Sequence, residues 1–237
     1  MKMTFTKLAV AAVIAGSILF NGTVSAATKV ETTATNQYTA LKAGMTMEQA
    51  AKVLYGKSYK TQLIKKNGST MLKKKATTSS NGEGQKIANY QFFDTKAKVP
   101  PVTTDLTFVT KKNDPVYRLT MKIINITADT KLEARESKMQ LVKGAKLKEG
   151  MTEKQLDAVL TGKGLGDWMT LMTIDFTSIA TKKEIKDGIA GPASIKAYVF
   201  QTTDPKKRMV VTLEYNSKKK VFEVFDFEKV SANSPLY

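Results

Sequence analysis

The chain has no cysteine and no histidine, and among its 237 residues only one tryptophan and six prolines. Without those two side chains there is no Ser-His-Asp or Cys-His nucleophile system and no thiol redox pair. Zinc and iron-sulfur sites of the usual ligand types are excluded as well. What remains is carboxylate, lysine or tyrosine chemistry, or binding without chemistry. Arginine is also scarce: Arg118, Arg135 and Arg208 are the only ones in a set of 38 Lys plus Arg, against 21 Asp plus Glu, for a net charge of +17. Lysine is a hydrated point charge, whereas arginine is the planar fork that reads phosphate and base edges. The imbalance therefore favours diffuse attraction to polyanions over specific nucleic-acid recognition.

Long apolar runs are missing too, apart from the start of the chain. Lys2 and Lys7 precede an apolar stretch over residues 8–20, and Val24-Ser25-Ala26 supplies small residues at cleavage positions. This pattern predicts a secretory signal peptide over 1–26, with Ala27 as the near alternative for the cleavage site. No cysteine follows to carry a lipid. The mature chain would hold 36 basic and 21 acidic residues, a charge of +15. No later segment approaches the length of a membrane span, so a secreted product is expected.

The remainder repeats itself. Leu41-Lys42-Ala43-Gly44-Met45-Thr46-Met47-Glu48-Gln49 returns as Leu147-Lys148-Glu149-Gly150-Met151-Thr152-Glu153-Lys154-Gln155, and the match runs through Val53-Leu54 and Gly56-Lys57 to Val159-Leu160 and Gly162-Lys163. Ten of seventeen aligned positions are identical at a displacement of 106 residues, which points to a tandem duplication. In each copy a Thr stands three residues before a Gln, the signature of a capping box, so Thr46 and Thr152 are expected N-caps. Ala50, Val53 and Leu54, and in turn Leu156, Val159 and Leu160, lie on one helical face. Gly56 and Gly162 would be left-handed C-terminal stops. Gly44 and Gly150 would end earlier helices around 38–42 and 137–148, so that each copy opens with a helix hairpin.

Strand patterns follow in both copies. Asn67-Gly68 between residues 63–66 and 69–72 is a two-residue hairpin signal. Strands are expected over 88–93, 106–110 and 116–126, and again over 169–176, 195–201, 209–215 and 221–227. Asn113-Asp114-Pro115, Asp204-Pro205 and Asn216-Ser217 supply turns. Met209, Val211, Leu213 and Tyr215 share one face of their strand. Residues 73–86 read as a polar mobile loop and 177–191 as a connection holding a short helix. The predicted fold class is α+β: a tandem repeat of a helix hairpin followed by an antiparallel sheet, with helices on one sheet face. The expected units are 27–127 and 137–237, joined by a charged linker over 128–136.

A short helix, the L-K-x-G-M-T-x-x-Q block, an apolar helix ending in Gly and several antiparallel strands together resemble the β-lactamase-inhibitor-protein-like fold. That fold is shared with the small outer-membrane lipoprotein family of the barrel-assembly machinery. The tandem arrangement is similar to the inhibitor itself, which implies two units side by side whose sheets form one concave protein-binding surface. The matching residues, Gly44, Met45, Thr46, Gln49 and Gly56 with their second-copy counterparts, are helix caps and stops. The inhibitor's disulfides have no counterpart in this cysteine-free chain, and no acidic-aromatic loop matches residue by residue.

Other motifs have plain structural readings. Residues 51–58 satisfy a loosened P-loop pattern, but Gly56-Lys57-Ser58 would close a helix rather than open one, so nucleotide is not an expected ligand. Asn67-Gly68-Ser69 and Asn125-Ile126-Thr127 match glycosylation acceptors, yet the first reads as a turn and the second as strand. Glu223, Asp226 and Glu228 are the only cluster that could serve a two-carboxylate hydrolase. Surface pairing with Lys196, Lys218 or Lys229 explains them more simply. Lysine runs at 65–66, 73–75, 111–112, 182–183, 206–208 and 218–220 fall at expected turns, where they protect strand edges or hold the chain on an anionic polymer. The strand aromatics Tyr90, Phe92, Tyr117, Tyr198, Phe200 and Phe222, with Trp168, are candidate partner-binding residues. The sequence thus leads to a secreted, non-catalytic protein-binding module, possible inhibitors included, that meets an extracellular or envelope protein and needs no cofactor or metal. A lysine-retained wall or matrix protein and a carboxylate hydrolase are the alternatives.

Overall fold

The computed structural model describes residues 29–97, 102–126, 139–166 and 168–232; the expected leader and linker lie outside them. The chain forms a mixed α/β structure with few helices and one large antiparallel sheet. In order come α1 (Lys29–Ala40), α2 (Met47–Tyr55), a 3-10 turn (Gly56–Gln62), β1 (Leu63–Lys66), β2 (Ser69–Leu72), β3 (Thr77–Ser80), β4 (Lys86–Phe92), β5 (Val102–Val109) and β6 (Arg118–Ile126). Then follow α3 (Glu153–Asp157), β7 (Thr170–Ile174), α4 (Lys182–Lys186), β8 (Ala193–Gln201), β9 (Lys207–Asn216) and β10 (Val221–Ser231). Strands β3 to β10 lie in sequence order in one eight-stranded sheet, and β1 and β2 form a separate hairpin. Asn67 and Gly68 turn that hairpin with φ of 49° and 78°, as a two-residue turn of this type requires. The two strand groups meet where β6 pairs with β7.

Both capping boxes are present: Thr46 accepts from Gln49 N and Thr152 from Gln155 N, with each Gln side chain reaching back to its cap. The helix hairpin, however, is seen among the described residues only in the first half. No helix forms over the described residues 139–150, where Gly144 takes φ of 84°. Val142 N instead donates to Val159 O, and Thr161 N to Gln140 O, at 2.9 and 2.8 Å. These backbone groups bond sideways to the segment after α3, so they are not available for a helical ladder. α3 ends at Asp157 with right-handed Ala158 as its cap, and Gly162 is not among the positive-φ glycines; it is no helix stop. Residues 73–86 are a further correction, because they contain β3, an exposed edge strand paired with β4. The expected short helix in 177–191 is α4.

The repeated block seats itself on the sheet in the same way twice. Gly44 N donates to Leu119 O at 2.8 Å and Leu119 N to Met45 O at 2.8 Å; Gly150 N donates to Val224 O at 2.8 Å and Val224 N to Met151 O at 2.7 Å. Lys42 N and Lys148 N reach the sulfurs of Met45 and Met151 at 3.4 and 3.2 Å. Thr46 forms a bridge with Arg118, and Thr152 one with Glu223. One residue beyond each clip the strand bulges, between the partners of Thr107 and Phe108 in β6 and between Val224 and Asp226 in β10. Gly44 and Gly150, at φ of 81° and 80°, therefore make a strand clip rather than end a preceding helix. Positive φ costs glycine little, and it turns the N–H toward the strand.

The core lies on one side of the sheet. Tyr90, Leu106, Phe108 and Leu119 pack under Met47, Ala50 and Ala51 of α2; Tyr198, Phe200, Val211 and Leu213 pack under Leu147, Leu156 and Leu160. A third cluster joins Tyr38 of α1 to Val102, Ile124 and Ile126, and Trp168 packs against both this cluster and the second one. Each fully buried side chain of this size contributes about 1.5 to 3 kcal/mol. The α1 helix ends on a buried lysine: Lys122 Nζ donates to Tyr38 O and Leu41 O at 2.6 and 2.8 Å and sits 4.0 Å from the Tyr38 ring centre. A cation there meets the carbonyls that a helix C-terminus leaves unpaired. Burial, reinforced by nearby Lys42, pulls its pKa down to about 8.

Candidate functional site

Every residue that the eight-stranded sheet contributes to the three core clusters belongs to the face that carries α1, α2 and α3. The opposite face holds none of them. Across it, Gln91, Asp105, Ile123, Met172, Ile195, Glu214 and Glu223 stand side by side on seven successive strands, β4 to β10. At the usual spacing between strands this row is about 29 Å long. A second row runs Asn89, Thr107, Met121, Ile174 and Ala193. The centre of the face is therefore half-buried Met121, Ile123, Met172, Ile174 and Ile195, astride the β6–β7 junction. The β4–β5 side is amide and hydroxyl around the single carboxyl of Asp105, and the β9–β10 side is acidic.

That acidic side depends on the bulge in β10. Glu223 faces Glu214, Asp226 faces Thr212 and Glu228 faces Val210, and the three β9 partners alternate onto one face. In a regular strand Glu223 and Asp226 would point to opposite sides; the extra residue Phe225 brings all three carboxylates together. Glu223 accepts from Lys219 Nζ and Asn216 Nδ2, both at 2.7 Å, which together hold its pKa below the usual carboxylate range. Its ion pair is with Lys219, while Lys196, the partner anticipated from sequence, bonds Glu153 at 3.1 Å. Burial raises the pKa of Asp105, partly offset by a hydrogen bond from Gln91.

Charge is sorted between the two faces. The five lysines within the eight strands, Lys86, Lys122, Lys196, Lys207 and Lys229, all lie on the helix-bearing side by register. The five strand carboxylates, Asp105, Glu214, Glu223, Asp226 and Glu228, all lie on the other, where the only strand cations are Arg118 and Arg208. In a chain of net charge +17, the open face is locally acidic.

The aromatic candidates do not make this surface. Tyr90, Tyr117, Tyr198 and Phe200 are buried core residues, so they cannot present a ring to a partner. Burial pushes the Tyr90 hydroxyl up to about 12. Phe92, Trp168 and Phe222 are half-buried against the core clusters, with Lys196 Nζ 4.1 Å from the Phe222 ring centre. None of the seven lies on the open face. The residues missed from sequence are the methionines and isoleucines of β6 to β8, whose alternation opposite the core strand positions was the available signal.

The remaining motifs fall where their plain readings put them. Gly56-Lys57-Ser58 follows the end of α2, with Gly56 N bonded to Lys52 O, and opens only the 3-10 turn, not the strand-to-α-helix junction that a P-loop requires. Among the described residues no group of three or more acidic side chains is placed to hold a metal ion. A small cleft of about 80 Å³ beside the second core is lined by apolar Leu141, Leu147, Leu156, Leu160, Phe200 and Met209, with Gln140, Gln201, Thr202, Thr203 and Lys229 as its polar lining. That lining holds no carboxylate. No described helix is long and apolar enough to cross a membrane. Compared with protein-family models, curated proteins and solved structures, the chain gives no match.

Proposed function

We propose that the chain is a secreted, non-catalytic protein-binding module built from two copies of one α+β unit, and that the open sheet face is its binding surface. The observation that carries this reading is the charge sorting: all carboxylates of the eight strands and a central half-buried apolar patch share the face opposite α1, α2 and α3. Methionine and isoleucine offer an adaptable apolar contact, and the acidic flank attracts and orients a basic partner. The partner that fits is an extracellular or envelope protein presenting lysine or arginine beside apolar side chains. The twice-made clip, the matched bulges and the union of both strand groups in one sheet support a duplicated unit resembling the inhibitor-like fold. Because the described residues 139–150 form no helix before α3, the resemblance rests on clip and strands rather than on paired helix hairpins.

A second reading, retention on an anionic wall or matrix polymer, draws on the lysines at turns and ends, such as exposed Lys73, Lys111, Lys182 and Lys218. The two readings use different surfaces. The test is capture of extracellular and envelope proteins by the immobilised mature chain, compared with a Glu223→Lys, Glu228→Lys double variant whose fold is checked by circular dichroism. Saturable binding that drops at least tenfold in the double variant supports the sheet face. Binding that is unchanged by the reversal, or only an attachment to anionic polymer released by moderate salt, rejects it in favour of the lysines.

A further inference from the structure

The sheet joins its two halves by one particular pair of strand edges, and the same two kinds of edge recur at its ends. β6 after its bulge pairs with β7: Met121 with Ile174, Ile123 with Met172, Asn125 with Thr170. The equivalent of β6 is β10, because Leu119 and Val224 receive the same clip and precede the same bulge. The equivalent of β7 is β3, since each is the first strand of its group and pairs antiparallel with the strand that carries a Tyr-x-Phe, β4 or β8. Among the described residues, the outer backbone pairing of β10 over Val221–Val230 is the clip at Glu223 and Val224, and β3 makes none on its outer side.

We propose that copies of this chain associate head to tail by strand addition, the β10 edge of one molecule pairing antiparallel with the β3 edge of the next and repeating the internal β6–β7 junction. Carrying the internal register across sets Val230 opposite Thr77, Glu228 opposite Ser79 and Asp226 opposite Asn81. Two features of the open edges fit a second copy. β3 is Thr77-Thr78-Ser79-Ser80, fully exposed, with no proline, charge or bulge to blunt it, although such devices normally protect an edge. Phe225, in the β10 bulge, is 41% exposed, whereas Thr120, at the same place in β6, is 1% exposed, and its carbonyl accepts from Asp175 N just beyond β7. The next molecule's chain beyond Ser80 would cover Phe225 as the chain beyond Ile174 covers Thr120. Until then the Phe227 N–H is held by the Asp226 carboxylate at 2.8 Å, a bond that an incoming strand carbonyl replaces.

Such a contact joins two different surfaces, so it does not close in a dimer but extends. Because each copy is strongly basic, salt screens the repulsion between them and promotes the association, the reverse of its effect on polyanion binding. This inference rests on the edges alone and does not require the sheet-face partner.

The absence of cysteine allows a direct test. In the mature chain, Thr77→Cys and Val230→Cys are introduced together and the protein is mildly oxidised. The two positions are on the outer strands of the sheet, about 34 Å apart by strand spacing, so a disulfide between them within one molecule is excluded by geometry. The expected result is a reducible ladder of dimers, trimers and longer species, at least tenfold more abundant than from Thr78→Cys with Val230→Cys, whose side chains fall on opposite faces. Monomer alone at millimolar protein and 0.5 M salt would overturn the proposal, and so would equal ladders from both pairs.

Discussion

Arg118 and Glu223 hold the same position in the two halves of the sheet with opposite charge. Each is bridged to the N-cap threonine of its own block, Thr46 or Thr152. Each also pairs with a residue four positions earlier, Arg118 with Asp114 at 3.0 Å and Glu223 with Lys219 at 2.7 Å. The ion pair is conserved in place and inverted in sign, which leaves an arginine near the middle of the sheet and a carboxylate at its β10 edge.

Glu223→Gln retains the neighbours and removes the charge. The pair is partly exposed, so unfolding in urea at pH 7 should show a loss of about 0 to 1 kcal/mol. The native state lowers the Glu223 pKa, so its contribution is present above the unfolded carboxylate value and disappears as pH falls through the folded one. The two proteins should accordingly converge in stability only as pH falls through that lowered folded value. Divergence that persists in acid would assign the effect to packing instead.

Lys122 has the opposite linkage. Its folded pKa of about 8 lies below the ordinary lysine value of 10.5, so between these values the unfolded chain binds more protons and stability rises with pH. The rise should reach up to about 3 kcal/mol between pH 7 and 10, and Lys122→Met should abolish it. Tyr38, Tyr90 and Tyr117, raised by burial, act in the other direction above pH 10 in both proteins, so the difference between the two proteins isolates the lysine. A flat difference across this range would mean that the carbonyls of Tyr38 and Leu41 keep Lys122 charged.

Loss of either cap should be felt separately. Thr46→Ala and Thr152→Ala each remove a hydroxyl that accepts a helix N–H, at a cost of about 1 kcal/mol. The sites are in different halves of the sheet, so the double variant should show the sum within about 0.5 kcal/mol. A much larger combined loss, read by chemical denaturation, would show that the two clips are coupled.

The clip glycines should differ from one another. Alanine at either position is forced to positive φ, costing about 1 kcal/mol or more. At Gly44 the added carbon would also lie 3.2 Å from Ser178 Cβ, while nothing lies within 4 Å at Gly150. Gly44→Ala should therefore melt lower than Gly150→Ala; equal melting temperatures would show that the loop at Ser178 yields freely.

Much of the local structure was legible because its causes are local. Thr46 and Thr152 cap where the Thr-x-x-Gln spacing says, Asn67-Gly68 turns the hairpin it predicts, and Met209, Val211 and Leu213 alternate into the core. The missing second helix was not legible. Residues 139–150 contain helix formers, but their N–H and C=O groups find partners in the chain after α3, a choice that only tertiary neighbours make. Which strand aromatics are buried was not legible either. Aromatic strand residues mark both core and interface in a sequence, and here Tyr90, Tyr117, Tyr198 and Phe200 are buried while Phe92, Trp168 and Phe222 are half-buried.

By itself the sequence determined the duplicated block, its caps and turns, the strand periodicity and the chemistries that a chain without cysteine or histidine cannot perform, since each follows from residue type and spacing along a few neighbours. The tertiary structure decided which face of the sheet the helices cover, and so which of two alternating sets of side chains is open. It also decided, through a single bulged residue in β10, that Glu223, Asp226 and Glu228 share that face. The period of a strand fixes which residues go together, but not which side meets the core, and one extra residue reverses the parity for everything beyond it.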